Sequence, residues 1–321
     1  MIRPRPATTL VTLAMAAILA ACSSAAPSPT SKPPSPTPSA SPTPSPSASP
    51  TPKPKPTPTP LDQALLTRRL TVLILGIDSN PDRASRNMPV NTDTMIVASV
   101  NAAHNRIATV ALPRDTVNLP LADGGTWTEK ANALFRAKGI GALVGALQTT
   151  YRIRIDAYML INMPDFGRLV NAVGGVDVIV PYALYDAPIG LNLAAGRQHL
   201  DGNNAARYVR TRDQDSDYAR GIRQQQVLIA LARKLFAPNS KVNIPALIRE
   251  LGSVRTNLPL AKLATLIEIG RRSLNAKVTS MELGPPRFAL FQGIDPNRGG
   301  EWVMVPDIAA MRAYVHSVMA N

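Results

Sequence analysis

A layered α/β fold is the expectation for residues 61–321, and three features lead to it. Short apolar runs of strand length recur at 72–76, 94–100, 106–112 and 156–161, each bounded by Gly, Pro, Asn or Asp. Longer segments with helical spacing lie between and after them, at 129–138, 141–150, 163–173 and 217–236. The two kinds of segment alternate, which argues for helices packed on a sheet. No internal repeat is visible, and the length suits one sizeable domain.

Taken in order, Val72-Leu-Ile-Leu-Gly76 is a short buried strand. The runs 94–100 and 106–112 flank the turn Asn101-Ala-Ala-His-Asn105 and should pair as a hairpin. Residues 129–138 and 141–150 read as two helices. Residues 156–161 and 176–180 read as strands around a helix at 163–173, which Gly174-Gly175 would terminate as a C-terminal cap. Residues 202–209 form a short helix, and 217–236 the longest one. Ile222, Leu228, Ile229, Leu231, Ala232 and Leu235 give that helix a broad apolar face. Helices follow at 245–251 and 260–273, late strands at 278–283 and 302–305, and a final helix at 306–319.

The first 60 residues stand apart from this fold. Arg3 and Arg5 precede an apolar run of about fifteen residues, shorter than the ~20 a membrane span needs. That is the pattern of a secretory signal peptide over 1–21. The run ends Leu19-Ala-Ala-Cys22, and Cys22 is the only cysteine in the chain. A small-small-Cys ending resembles the lipobox of bacterial lipoproteins, in which the cysteine is lipidated and becomes the mature N-terminus. The alternatives are an ordinary signal peptide or an uncleaved anchor. Residues 23–60 are almost wholly Pro, Ser, Thr and Ala, a composition that cannot bury a core. At ~3.1 Å per residue this tether would reach on the order of 100 Å. The expected layout is a signal peptide, a lipidated Cys22 with its tether over 22–60, and a folded domain over 61–321 on the outer face of the cell membrane.

With one cysteine the chain has no disulfide and no thiolate metal site. His104, His199 and His316 are scattered, which disfavours a zinc site or a serine–histidine triad. The domain carries 30 basic against 21 acidic residues, leaving about +9 of the chain's +14. An anionic ligand or surface fits that balance. Nucleic acid does not, given the export signal and the few aromatic residues available for base stacking.

Four patches carry candidate chemistry. Asp78 follows the first buried strand, Asp93 precedes the next, and Arg114-Asp115 ends the one after. The fourth is a run of arginines: Arg207, Arg210, Arg212, Arg220 and Arg223, interleaved with Asp213, Asp215 and Asp217 and ending in Gln224-Gln-Gln226. Guanidinium groups hold phosphate or pyrophosphate in fixed geometry. Carboxylates and an arginine at neighbouring strand ends can converge on one crevice of an α/β sheet. Two hard oxygen ligands plus substrate phosphates describe a Mg²⁺ site. Arg220 and Gln224 lie four apart, on one helix face near an N-terminus that favours anions. Arg210 and Arg212, two apart, would point the same way in an extended segment.

These patches, in this order, resemble the LytR-CpsA-Psr proteins of bacterial envelopes. The resemblance covers about 70–235 and rests on LILGID at 73–78, TDTMIVASVN at 92–101, LPRDT at 112–116, GGVDV at 174–178, AGRQHLDG at 195–202, YVRTR at 208–212 and DYARGIRQQQ at 217–226. It implies an α/β/α sandwich with a central mixed sheet and a hydrophobic tunnel for a lipid tail. It implies a phosphotransferase that moves a glycopolymer from a polyprenyl-pyrophosphate carrier to peptidoglycan. By the same resemblance, Asp78 and Asp93 would hold Mg²⁺, and Arg114, Arg210, Arg212, Arg220 and Gln224 would grip the pyrophosphate. Asp115 would orient Arg114, and Arg223 matches the pattern without a clear role.

One departure stands out. Asn91 occupies the position where family members commonly carry an arginine, and an amide cannot replace a bidentate cation. Arg83 or Arg86 would be near enough in sequence to compensate. Two other readings stay open at this stage: a phosphohydrolase that uses water as acceptor, and a non-catalytic binder of prenyl phosphates or anionic wall polymers.

Overall fold

A computed structural model of the chain describes residues 60–77, 90–245, 247 and 254–319. The expected signal peptide, Cys22, nearly all of the tether, Asp78, Arg83 and Arg86 lie outside the described residues, as does most of the helix expected at 245–251. Among the described residues no helix is long and apolar enough to cross a membrane.

The expected mixed sheet is present. Its strands are β1 (Leu70–Ile77), β2 (Thr92–Val100), β3 (Arg106–Ala111), β4 (Ala157–Asn162), β5 (Arg255–Thr256) and β6 (Lys277–Glu282), in spatial order β5-β4-β1-β2-β3-β6. β1, β2 and β3 form an antiparallel meander, the hairpin between β2 and β3 turning at 101–105 as expected. β4 joins β1, and β6 joins β3, in parallel. Both parallel joins require crossovers, which the helices supply.

Helices cover both faces. On one face α1 (Ala131–Tyr151) packs with the C-terminal helix, so Leu143 and Leu147 meet Leu73, Leu75, Val97, Val110, Met311 and Val315 in the main core. The two helices expected at 129–138 and 141–150 are both present within α1, separated by a kink at Gly139, whose φ of 81° is open to glycine. A second core gathers α2 (Met163–Ala172), α3 (Gly202–Tyr208) and α4 (Asp217–Phe236) around Val170, Val178, Tyr208, Val227 and Leu231. α2 ends at Gly174 and Gly175, both at positive φ, as the sequence indicates. Residues 176–180 pair with 196–200 in a separate two-stranded sheet and do not extend the central one.

α4 spans the range its sequence periodicity predicts. Its buried face differs from the expected one. Arg220, Gly221, Arg223, Gln225, Val227 and Leu231 are buried, whereas Ile222 is 58% exposed. Polar burial at the start of the helix displaces the apolar stripe, because that end faces a polar cavity and a charged loop.

Candidate active site

β1 and β2 are held close where β1 ends and β2 begins. A Cβ at Gly76 would lie 2.9 Å from the Thr94 side chain, so only glycine lets the strands approach there. The register shifts between Gly76 and Ile77, and Asp93 stands on the neighbouring strand. Arg114 follows β3, where Leu112 N donates back to Met95 O. The N-terminus of α4 closes the arrangement from the other side. Ser216 caps it by accepting from Ala219 N, and Asp217 occupies the first turn.

These elements enclose a cavity of about 680 Å³. Ile77, Asp93, Arg114, Arg210, Arg212, Arg220 and Gln224 line it, with Asp186, Asp213, Asp215 and Asp217. Every described residue assigned above to metal or pyrophosphate is therefore on one wall or another. Asp78 lies outside the described residues, one position beyond Ile77.

The organiser of the site is Asp217. Its Oδ2 accepts from Arg114 Nε at 3.0 Å, and its Oδ1 accepts from Arg212 Nη1 at 3.0 Å and stands 3.4 Å from Arg220 Nη1. Arg114 Nη1 also donates to Asp93 Oδ1 at 2.9 Å, so this guanidinium bridges the start of β2 and the start of α4. Burial pushes the Asp217 carboxyl up, but Arg220, Arg114 and Arg212 outweigh it and hold it below the ordinary carboxylate value. Burial works against the charge of Arg114 too. Its contacts with Asp217, Asp93 and Asp115 prevail and raise it. From sequence, Asp217 stands only among the acids interleaved with the arginine run and has no site role. Its spacing of three from Arg220 was the available signal.

The remaining assignments separate into contacts and supports. Gln224 lines the cavity and its Nε2 donates to Val209 O at 3.2 Å. Arg210 and Arg212 sit in turns and irregular backbone, not in an extended segment, yet both reach the cavity. Asp115 lies 3.5 Å from Arg114 Nε and 3.4 Å from Lys130 Nζ, placed to orient Arg114. Arg223 points away from the cavity. Its Nε donates to Tyr208 O at 3.0 Å, and its two Nη atoms bind Thr211 O and the Asp215 carboxylate. It clamps the loop that carries Arg210 and Arg212. Asn91 accepts from Arg136 Nε at 3.3 Å, so a guanidinium from α1 reaches the position the departure left neutral.

The donor set can be weighed against a divalent cation. The cavity carries four guanidinium groups and five carboxylates, so a bare anion would satisfy only one sign. A hard cation bridging to phosphate suits both, and Mg²⁺ commonly takes one or two carboxylates with waters and phosphates completing its shell. Among the described residues no three acidic or histidine side chains converge as a ready-made metal cage. Asp93 is the described carboxylate that fits: Arg114 takes its Oδ1, and its side chain is 29% exposed.

Residues 45–295 match the LytR_cpsA_psr family. TagU of Oceanobacillus iheyensis, a polyisoprenyl-teichoic acid–peptidoglycan teichoic acid transferase, is 32% identical over 224 residues, covering 67% of this chain and 66% of TagU. TagV of Bacillus subtilis, a transferase of the same name, is 27% identical over 222 residues, covering 66% of this chain and 56% of TagV. The chain thus spans roughly half to two thirds of these relatives. The crystal structure of B. subtilis TagV superposes with a TM-score of 0.65 at 23% identity, covering 79% of this chain and 98% of that one. Lin1025 of Listeria innocua gives a TM-score of 0.60 at 25% identity, covering 78% and 97%. Sequence, fold and the placement of the matched motifs agree: the chain belongs to the LytR_cpsA_psr family.

Proposed function

We propose that this chain is a phosphotransferase that moves a glycopolymer from a polyprenyl-pyrophosphate carrier onto peptidoglycan or a related envelope acceptor. The single observation that carries the reading is the gathering of Arg114, Arg212 and Arg220 on Asp217 at the mouth of α4, inside a cavity sized for a pyrophosphate and the groups attached to it. The names of the TagU and TagV relatives give the same substrate class.

In this reading the carrier's pyrophosphate lies against the N-terminus of α4, where free N–H groups and the helix dipole favour anions. Arg114, Arg212 and Arg220 donate to its oxygens, with Arg210 and Gln224 completing the wall. Asp217 keeps the three guanidinium groups aimed before substrate arrives. An acceptor hydroxyl oxygen then attacks the phosphorus that bears the glycan. A new P–O bond forms, the bridging P–O bond breaks, and the polyprenyl phosphate leaves with the bridging oxygen while the hydroxyl proton is released. The arginines stabilise the charge developing on the transferring group, which is the main demand of phosphoryl transfer. Mg²⁺, held by Asp93 and Asp78, would neutralise part of the phosphate charge when bound.

The anchor belongs to the same proposal. A lipidated Cys22 and the Pro-rich tether would hold the domain at the outer face of the membrane, within reach of a lipid-linked substrate and the wall. The assay that tests the function supplies polyprenyl-pyrophosphate glycan, Mg²⁺ and peptidoglycan. Polymer covalently joined to peptidoglycan is expected with wild type and not with Arg114→Ala. Free phosphate without conjugate would favour the hydrolase. Neither product, where TagU or TagV gives conjugate, would overturn the enzymatic reading.

A further inference from the structure

Glu282 ends β6 directly beneath the first turn of α4. The approach is so close that a Cβ on Gly221 would collide with the Glu282 carboxylate. Glycine at 221 is therefore what lets the helix rest on this acid. As a residue Glu282 is half-covered, but its Oε2 is shut off from solvent and has no hydrogen-bond partner. The residue preceding Gly221 is Arg220, whose guanidinium lines the cavity. Arg220 is 7% exposed, and its Nε is likewise closed off and unpartnered. A buried donor and a buried acceptor, both unpaired, thus flank the same glycine. Leaving such atoms unsatisfied is costly, and native proteins keep few of them.

We propose that Glu282 is a positioning residue for Arg220: its carboxyl braces the guanidinium from beneath α4, accepting from Nε and turning the two Nη groups toward the ligand. This rests on the pyrophosphate reading of the cavity. The contact is open in the unliganded arrangement and closes as the anion draws Arg220 into line, as hydrogen bonds of active sites commonly tighten on binding. Glu282 acts as a neutral acid in this role. Burial pushes its carboxyl well above the ordinary carboxylate range; Arg220 opposes the shift and Asp217 adds to it. Tyr218 of α4 and Tyr151 of α1 also face it, and its ionised form would push both phenols up. A neutral Glu282 accepts a hydrogen bond and leaves the charge of Arg220 for the ligand. An ionised Glu282 would pair with Arg220 and cancel that charge.

The test uses the purified protein with inorganic pyrophosphate and Mg²⁺, measuring Kd by calorimetry from pH 6 to pH 9, with Tm recorded for each variant. Glu282→Gln keeps the acceptor and cannot ionise. It should bind within twofold of wild type at the acidic end and more tightly than wild type at the alkaline end. Glu282→Leu removes the acceptor and should weaken binding about tenfold at the acidic end, the scale of one hydrogen bond to a charged group, a gap that narrows toward the alkaline end as the wild-type acid ionises. Its Tm should hold or rise, because an unpaired buried carboxyl is replaced by an apolar side chain. Affinity and stability moving in opposite directions is the signature that a purely structural acid would not give. Wild-type affinity in the Leu variant, or a parallel loss of Tm and affinity in both variants, would overturn the proposal. Absence of pyrophosphate binding by wild type would instead strike the functional reading beneath it.

Discussion

Two arginine-lined hollows lie at opposite ends of β1. The cavity at Gly76 and Ile77 holds Arg114, Arg210, Arg212 and Arg220. The hollow at Thr71, of about 440 Å³, holds Arg68, Arg69, Arg152 and Arg154. Each has an acid that gathers its cations. Asp217 binds three arginines in the first, and Asp156 binds Arg68 at 2.7 Å and Arg154 at 3.1 Å in the second. The number of arginines does not distinguish them. What differs is the backbone around them. The first faces the N-terminus of α4, a positive end. The second abuts the C-terminus of α1, where Arg152 forms the cap at φ 54° and carbonyl oxygens collect. The first also carries Asp93 beside its arginines, which suits a cation–phosphate pair. The lesson is that helix polarity and mixed charge select the anion site, not basic residues alone.

The largest effect that would sharpen this contrast is catalytic. Arg114→Ala should lower conjugate formation by about 100-fold or more, the scale of losing one charge-stabilising group. The double variant Arg152→Ala/Arg154→Ala should change it less than twofold in the same assay. The next largest is structural and separates two arginines of one helix. Arg223→Ala removes the cation from the Asp215 carboxylate, which keeps the Tyr182 hydroxyl, and frees the 208–215 loop, and should cost on the order of 3 kcal/mol in denaturant unfolding. Arg220→Ala should cost less, because Asp217 keeps Arg114 and Arg212, while weakening pyrophosphate binding.

How far the sequence anticipated these contrasts depends on how local each feature is. The limits of α4, the β2–β3 hairpin and the stop at Gly174-Gly175 follow from periodicity and glycine, and all are present. The cavity residues named for metal or pyrophosphate were legible through the resemblance, whereas Asp186 and Asp217, which also line it, were not. Helical spacing alone does not separate Arg220 from Arg223, three positions apart on nearly the same face; the resemblance marks Arg220 as a pyrophosphate contact and leaves Arg223 without a clear role. Only the path of the 208–215 loop decides that Arg223 clamps while Arg220 faces the cavity. Asp217 was hidden by its second role as a helix-start residue, and Glu282 by its distance of some sixty residues from the motif it supports. The exposure of Ile222 was missed because burial at that end follows the cavity and not the apolar stripe.

Smaller effects concern charge and the amide. The carboxyl of Asp217 is held below its ordinary value of 3.8, so its contribution to stability is complete above that value. It is lost as pH falls through the lower folded value. Acid unfolding of Asp217→Asn should therefore show a shallower loss of Tm below about pH 4 than wild type, the window set by that lowered value. Smallest of all, Gln224→Ala should weaken pyrophosphate binding by about fivefold, the scale of one neutral hydrogen bond.

The most direct measurement is a crystal structure of the protein with a short prenyl pyrophosphate and Mg²⁺. The account predicts phosphate oxygens within hydrogen-bond distance of Arg114, Arg212 and Arg220, a cation beside Asp93, and no phosphate at Arg152 and Arg154. Phosphates bound in the hollow at Thr71, or a cavity left empty at saturating ligand, would contradict it.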